Sequence, residues 1–365
     1  MPHTPIFRAP GRYAGWPANY GLWAWDDEIV VGFTLGYYKA DVQFHPRDKE
    51  RPFETMQARS VDGGASWTVA PIPCRTPGGR ALSADEHMIP ELGVGAALAD
   101  DPPQPCPGDV DFTHPDFAVL CARSGLKAGA RSWFYLSTDR CRSWQGPYAL
   151  PDFGQTGIAA RTDVIVLGPR RALFFLTAAK PDGEEGRVFC AETVDGGRTF
   201  AFRSWVTPEP AGYTIMPASV RLPSGRILTA VRCSATRETT TSPRCWIDLY
   251  VSDDEGQSWQ HLSCPVADAG RGGNPPAMIV LRDGRLCLVN GYRNPPYEIH
   301  TRLSADDGHT WGAPTVLRSG GGNHDIGYPR IAQRKDGALV AVYYWNDDAE
   351  GERFVEVVIG DWDRV

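Results

Sequence analysis

The sequence predicts an all-β protein, a six-bladed β-propeller of four-stranded antiparallel blades. Three observations carry this. An octet of pattern Ser/Thr-x-Asp-x-Gly-x-Ser/Thr-aromatic occurs five times, at Ser60–Trp67, Ser137–Trp144, Thr193–Phe200, Ser252–Trp259 and Ser304–Trp311. The octets start 77, 56, 59 and 52 residues apart, and a repeat of that length built from short strands signals a propeller. The 39 glycines and 31 prolines give many turns and leave little room for long helices.

Each octet reads as a hairpin turn. Ser and Asp bond their own backbone, Gly supplies positive φ, and the aromatic starts the next strand as an apolar plug. Two members depart from the pattern, with Cys141 in place of Gly and Phe200 in place of Trp.

Taken in order, residues 1–24 are rich in Gly, Pro and aromatics and read as an irregular lead-in. Ile29–Phe33 is a buried strand. Residues 37–58 form a long loop bearing Asp41, His45, Asp48 and Glu54, and long loops in compact folds usually carry function. Residues 71–116 are the least regular part. The strands that follow are Ala118–Ala122 and Ser132–Ser137, then Asp163–Leu167, Ala172–Ala178 and Val188–Thr193. Next come Ser219–Leu222, Ile227–Arg232 and Ile247–Ser252, then Met278–Leu281, Leu286–Tyr292 and Ile299–Ser304. Arg330–Arg334, Ala338–Trp345 and Phe354–Trp362 close the chain. In the later units the order repeats as strand, Gly turn, strand, loop, strand, octet, strand. The tail repeats the first half without an octet and supplies the sixth blade. With no linker or low-complexity segment, residues 1–365 are expected to form one domain.

Composition narrows the function. A net charge of −7 excludes a basic nucleic-acid surface and offers no basic membrane patch. No apolar run is long enough to span a bilayer, and no signal peptide is visible. The nine cysteines are odd in number and scattered without a Cys-x-x-Cys pair, which leaves no zinc or redox motif. A cytoplasmic protein is expected, or a secreted one if a leader has been removed. No cofactor or metal is expected.

In a propeller the inner strand ends face the central channel, so the octet aspartates are structural and the site lies elsewhere. Here the chain resembles the bacterial-type sialidases (neuraminidases), six-bladed propellers carrying these Asp-boxes, or BNR repeats. The resemblance in organisation covers nearly the whole chain and identifies it as a divergent member. It implies an exo-acting glycoside hydrolase that releases a terminal acidic sugar from a glycan. Asp48, twelve residues before the first octet, matches the family's acid/base; Asp41 and His45 are nearby substitutes, and a solvated acid beside Lys49 and Arg51 is the bland alternative. Arg232 and Arg293 end inner-blade strands where the family's arginines grip the sugar carboxylate, which a guanidinium fork matches bidentately. The alternative for each is an inter-blade salt bridge. Tyr328 matches the nucleophile. A phenol suits a sugar whose anomeric carbon bears an acid, because a carboxylate nucleophile would be repelled.

Two departures stand out. The glutamate that activates the family's tyrosine, sixteen residues before Arg232, is here Met216, and a thioether takes no proton. Either another acid, with Asp325 nearest in sequence, does that work, or Tyr328 is no nucleophile. The motif that supplies the first arginine is also broken: Phe7-Arg8-Ala9-Pro10 lies too early, and Gly15-Trp16-Pro17 has no arginine, so Arg12 is the expected substitute. Arg161, Arg330 and His45 complete the candidate substrate-binding set, and Asn274 precedes an inner strand. Glu184 and Glu185 read as solvent-exposed in a Gly-flanked turn, and His87, His114 and His324 as isolated. Trp16, Trp23 and Tyr292 are candidates for stacking on a sugar. The alternatives to a sialidase are an exo-glycosidase for a uronic or other nonulosonic acid, and a non-catalytic glycan-binding propeller.

Overall fold

In a computed structural model, which describes residues 3–40, 42, 45–77, 100–236 and 244–362, the strands form six antiparallel sheets. The first strand, β1 (His3–Phe7), belongs to the last sheet. The first sheet holds β2 (Arg12–Gly15), β3 (Leu22–Trp25), β4 (Glu28–Tyr37), β5 (Glu54–Ser60) and β6 (Thr68–Pro71). The second has β7 (Ala118–Arg123), β8 (Ser132–Ser137) and β9 (Gln145–Ala149) among the described residues. The third contains β10 (Ile158–Gly168), β11 (Arg171–Ala179), β12 (Glu185–Thr193) and β13 (Ala201–Trp205). The fourth contains β14 (Tyr213–Arg221), β15 (Ile227–Ser234), β16 (Cys245–Ser252) and β17 (Gln260–Val266). The fifth contains β18 (Ala277–Val280), β19 (Leu286–Tyr292), β20 (Glu298–Ser304) and β21 (Thr315–Arg318). The sixth is β22 (Gly327–Gln333), β23 (Leu339–Trp345) and β24 (Phe354–Gly360), with β1 paired antiparallel on β24.

The first 24 residues are therefore not an irregular lead-in. β1 closes the ring by completing the C-terminal blade, and β2 and β3 together form the broken inner edge of the first blade, both paired to β4. Their short length and many glycines and aromatics hide the alternation that marks longer strands. β5 likewise begins at Glu54, inside the segment read as loop.

The octets tie the third strand of a blade to its outermost strand. In the first, the Asp62 carboxylate accepts the Ser66 amide at 2.9 Å and the Ser66 hydroxyl at 2.5 Å, while the Gly64 amide donates to Ser60 Oγ at 2.7 Å. Trp67 Nε1 returns to the Gly64 carbonyl at 3.0 Å. Cys141 takes the glycine's place with φ 62° and the same amide bond to Ser137 Oγ, at 2.9 Å. Its small thiol is fully buried, and all nine cysteines are free thiols.

Apolar side chains fill the seams between successive blades. The sixth and first blades share Ile6, Val31, Phe33, Val342 and Val357; the second and third share Cys121, Phe134, Ala160 and Phe174. Each seam joins blades through interdigitated strand faces, so burial rather than any linker holds the ring.

Three inner strands break register where they pass the channel: β10 between Ala160 and Val164, β14 between Ile215 and Ala218, and β22 between Gly327 and Arg330. A bulge leaves its residues unpaired and re-aims their side chains. The bulged residues include Arg161, Met216 and Tyr328. In the first blade the corresponding break is a 3-10 turn at Pro17–Asn19, entered through Trp16 at φ 59°.

Candidate active site

Tyr328 sits at the centre. Gly327 (φ 99°) and Tyr328 (φ 50°) turn the backbone into the left-handed region, and Asn274 Oδ1 accepts the Tyr328 amide at 3.0 Å. Asn274 is fully buried, and its Nδ2 donates to the Ile326 carbonyl at 2.9 Å. A Cβ on residue 327 would lie 2.4 Å from that amide nitrogen, so this approach requires glycine.

Three arginines surround the Tyr328 ring. Arg232 Nη1 donates to its hydroxyl at 3.3 Å, and the Arg293 guanidinium lies 5.4 Å from the ring centroid. Arg161 is close enough to act on the phenol electrostatically. Burial pushes the phenol up, but Arg232, Arg293 and Arg161 outweigh it and hold its pKa below the ordinary value. Met216 Sδ lies 3.7 Å from Arg232 Nη1, and Ala18, Tyr213, Ile215 and Met216 make an apolar cluster against Tyr328. The position that carries a glutamate in the sialidases is thus an apolar wall.

The arginines are buried and pinned. Arg232 Nη2 donates to the Tyr213 hydroxyl at 3.3 Å and to the Gly272 carbonyl. Arg293, 1% exposed, gives Nε and Nη2 to the Ile326 carbonyl at 3.1 and 3.0 Å, and Nη2 to the Tyr344 hydroxyl at 2.9 Å. Arg293 Nη1 and Arg232 Nε are buried without a hydrogen-bond partner among the described residues. Arg161 pairs with Glu185 at 2.7 Å and reaches Asn19 Oδ1 at 3.3 Å. Among the described residues Glu185 is the one anion paired with these three cations, so the centre carries surplus positive charge suited to an acid group.

Glu185 was expected in solvent, but it begins β12 and its side chain is 12% exposed. Glu184 does lie outward, paired with Lys127 at 2.9 Å. A two-residue acidic run carries no signal of which member turns inward; that depends on β12 lying beside the Arg161 bulge.

Asp325 is not placed against Tyr328. It is 1% exposed and accepts from Tyr344 Oη at 2.6 Å, Arg353 Nε at 3.0 Å and Tyr13 Oη at 3.4 Å, and it pairs with His45 Nδ1 at 2.5 Å. Burial would raise its pKa, but His45, Arg353 and the Tyr344 hydroxyl hold it well below the usual carboxylate range. Tyr344 relays to the site: it bonds both Asp325 and Arg293, and its ring packs 5.9 Å from Tyr328. Burial pushes His45 below the ordinary histidine value, against the pull of Asp325.

Other candidates fall elsewhere. Arg12 points away from this group, with Nε on the Gly36 carbonyl at 2.9 Å, Glu54 at 3.3 Å and Tyr37 beneath its guanidinium. On β2 it is Tyr13, the next residue, that turns inward and is fully buried. Arg47, from the first-blade loop, lies over Trp16 at 5.1 Å; its position within the loop gave no signal of this. Asp48 pairs with Lys39 at 3.5 Å and accepts the Glu50 amide at 3.1 Å. Asp41 and His87 lie outside the described residues. Arg330 gives Nη2 to the carbonyls of Ala18, Thr162 and Tyr20 at 2.9, 2.9 and 3.2 Å, stapling the 3-10 turn to β10. Trp16 is 2% exposed and packs on Tyr13, His45 and Tyr344. Trp23 lines a separate cavity of about 270 Å³ beside Arg330 and Asp163, which Tyr328, Arg232 and Arg293 do not line. Among the described residues no group of three or more His, Cys, Asp or Glu is placed to hold a metal, and no helix is long and apolar enough to cross a membrane.

Comparison with known structures agrees with the ring. A protein of unknown function from Dyadobacter fermentans superposes with TM-score 0.71 at 18% identity, covering 98% of this chain and 97% of its own. The NanB sialidase of Streptococcus pneumoniae gives 0.64 at 11% identity, over 100% of this chain and 71% of that one. An α-L-arabinanase of Penicillium chrysogenum, solved with arabinobiose, gives 0.62 at 14% identity over 98% of each chain. At these identities the likeness establishes the propeller fold. No curated protein sequence matches the chain. The BNR repeat-like domain model matches residues 117–342, more than half of the chain, and the protein belongs to that family.

Proposed function

We propose that the protein is a sialidase-like exo-glycoside hydrolase that removes a terminal acidic sugar from a glycan. The observation that carries this reading is the ring of Arg161, Arg232 and Arg293 around Tyr328, with two buried guanidinium nitrogens left without a hydrogen-bond partner among the described residues. Unpaired buried donors are costly unless a ligand completes them, and a planar carboxylate is the natural complement of a guanidinium edge. The neighbouring folds named as a sialidase and an arabinanase support a glycosidase at the coarse level.

In this reading Arg232 and Arg293 bind the sugar carboxylate and orient the anomeric carbon toward Tyr328 Oη. The arginine field, rather than an adjacent carboxylate, favours the phenolate, because the glutamate position is Met216. The phenolate forms a covalent glycosyl intermediate, and a proton-transfer group from the first-blade loop that carries His45 and Asp48 assists departure and then hydrolysis.

A panel of chromogenic α-ketosides of sialic and related nonulosonic acids, uronides, and neutral arabinofuranosides tests this. Turnover is expected only on acid-bearing substrates, falling at least about 100-fold in Arg293→Ala and in Arg232→Ala. Equal turnover of neutral substrates, or unchanged rates in both variants, refutes the clamp. Met216 favours one other reading, a propeller that binds acidic glycans without cleaving them; saturable binding with no product after long incubation selects it.

A further inference from the structure

We propose that His45, positioned by Asp325, is the proton-transfer residue of this site in place of Asp48; the inference rests on the hydrolase reading above. Asp325 is a buried anion whose oxygens face four donors from three parts of the ring: Tyr13 on β2, His45 on the first-blade loop, and Tyr344 and Arg353 in the last blade. A charged carboxylate 2.5 Å from Nδ1 fixes the imidazole with its proton on Nδ1. The second nitrogen, Nε2, is then the one that gains and gives up a proton, the arrangement by which a buried carboxylate orients a catalytic imidazole.

The ring is held from other sides as well. The Trp16 ring stands edge-on at 5.0 Å between centroids, Tyr13 Oη lies 3.3 Å from Nδ1, and residue 45 itself is bent to φ 53°. A left-handed backbone at a non-glycine residue is uncommon and here turns the imidazole inward. The side chain keeps 12% exposure. His45 also belongs to the same connected network as Tyr328: Asp325 bonds Tyr344, Tyr344 bonds Arg293, and Arg293 lies over the Tyr328 ring. Asp48, by contrast, is engaged by Lys39 and the Glu50 amide.

The step balances as follows. In its imidazolium form, His45 gives the Nε2 proton to the glycosidic oxygen as the bond from that oxygen to the anomeric carbon breaks, its electron pair staying on the oxygen, and is left as the neutral Nδ1–H tautomer. Tyr328 Oη forms the new bond to the anomeric carbon. Neutral His45 then takes a proton from water, whose oxygen displaces Tyr328 as phenolate. The charged or titratable groups acting on His45 are Asp325, Arg47, Arg293, Tyr13 and His324, with Arg353 acting through Asp325.

The test compares hydrolysis of two forms of one acidic glycoside, a 4-nitrophenyl and an alkyl-linked form, across the acid-to-neutral range. Loss of a general acid falls on the poor leaving group. His45→Gln is expected to lower kcat/KM on the alkyl-linked form by about 10²–10⁴-fold, with a much smaller loss on the nitrophenyl form and little change in KM. The limb of the pH profile that titrates below the ordinary histidine value disappears. Asp325→Asn shifts that limb instead of removing it, and His45→Asn repeats the result if the glutamine variant fails to fold. Equal loss on both leaving groups, or the leaving-group signature in Asp48→Asn rather than His45→Gln, overturns the proposal while the hydrolase reading stands. Failure of the wild type to cleave any acidic glycoside refutes the hydrolase reading and this step with it. Imidazole nitrogen NMR of the wild type reads the dyad independently of turnover: the Nδ1–H tautomer is expected for His45, and the Nε2–H tautomer overturns the positioning by Asp325.

Discussion

Asp325→Asn removes one charge from a group in which both partners of an ion pair, Asp325 and Arg353, are 1% exposed. The asparagine keeps the volume but offers one acceptor and one amide where four donors converge, so the amide must face a donor. Arg353 is left as a buried cation, and breaking such a pair from one side costs about 3–5 kcal/mol. Unfolding entropy of about 2.1 cal/mol/K per residue gives about 0.8 kcal/mol/K over 365 residues. The expected fall in Tm is therefore about 4–6 °C, read by calorimetry or tryptophan fluorescence. The pH dependence has a definite sign. The folded carboxyl is held below its unfolded value, so its contribution is complete above the ordinary value of about 3.9 and is lost as pH falls through the lower folded value. The gap between variant and wild type should shrink on acidification. Adding Arg353→Met should recover part of the loss, because removing both charges together is far less costly than removing one. A Tm within about 1 °C of wild type at neutral pH, or a double variant no better than the sum of the singles, would refute the buried-pair argument.

Three further outcomes follow from the same geometry. One tyrosine should ionise below the usual value of about 10 in ultraviolet titration at neutral-to-alkaline pH, and Tyr328→Phe should lack that early step; identical curves would remove the arginine field from the account. Gly327→Ala forces a Cβ to 2.4 Å from Asn274 at φ 99°, and is expected to destabilise by about 1–3 kcal/mol in urea unfolding while displacing Tyr328 and depressing kcat; a neutral effect on both would show that Asn274 does not fix the tyrosine. The Asp254 carboxyl lies in an octet, where burial raises it but Ser258 and Ser252 hydroxyls and the Ser258 and Gln257 amides bring it down to about 2. Asp254→Asn should lower Tm at neutral pH without changing kcat, and the difference should close as pH falls from about 4 toward about 2; a change in kcat would contradict a structural role for the octet.

The parts of the site differ in how they could be read from the chain. Arg232 and Arg293 were legible because each ends a run of apolar residues that had to be a buried strand, so a charge there had to meet something. Tyr328 was singled out through the family resemblance, which places a tyrosine at the head of the strand before the last Gly turn. Arg12 and Glu185 were misplaced for one reason: strand alternation sends neighbouring residues to opposite faces, and where β2 and β12 begin was not fixed by pattern. Asp48 and His45 share a loop, and nothing local says which will meet Asp325, some 280 positions away. Ring closure by β1 was equally hidden, since a five-residue strand has too few alternations to announce its partner.

By itself the sequence determined the repeat, the blade turns and the apolar seams, because those depend on local bonds and on side chains that alternate along each strand. The tertiary structure alone decided which bulged residues face one another across the channel, that Met216 forms a wall where an acid would stand, and that Asp325 holds His45 rather than Tyr328. Those outcomes depend on how six sheets are set against one another in the ring, a distance relation among residues far apart in the chain that no short stretch of it encodes.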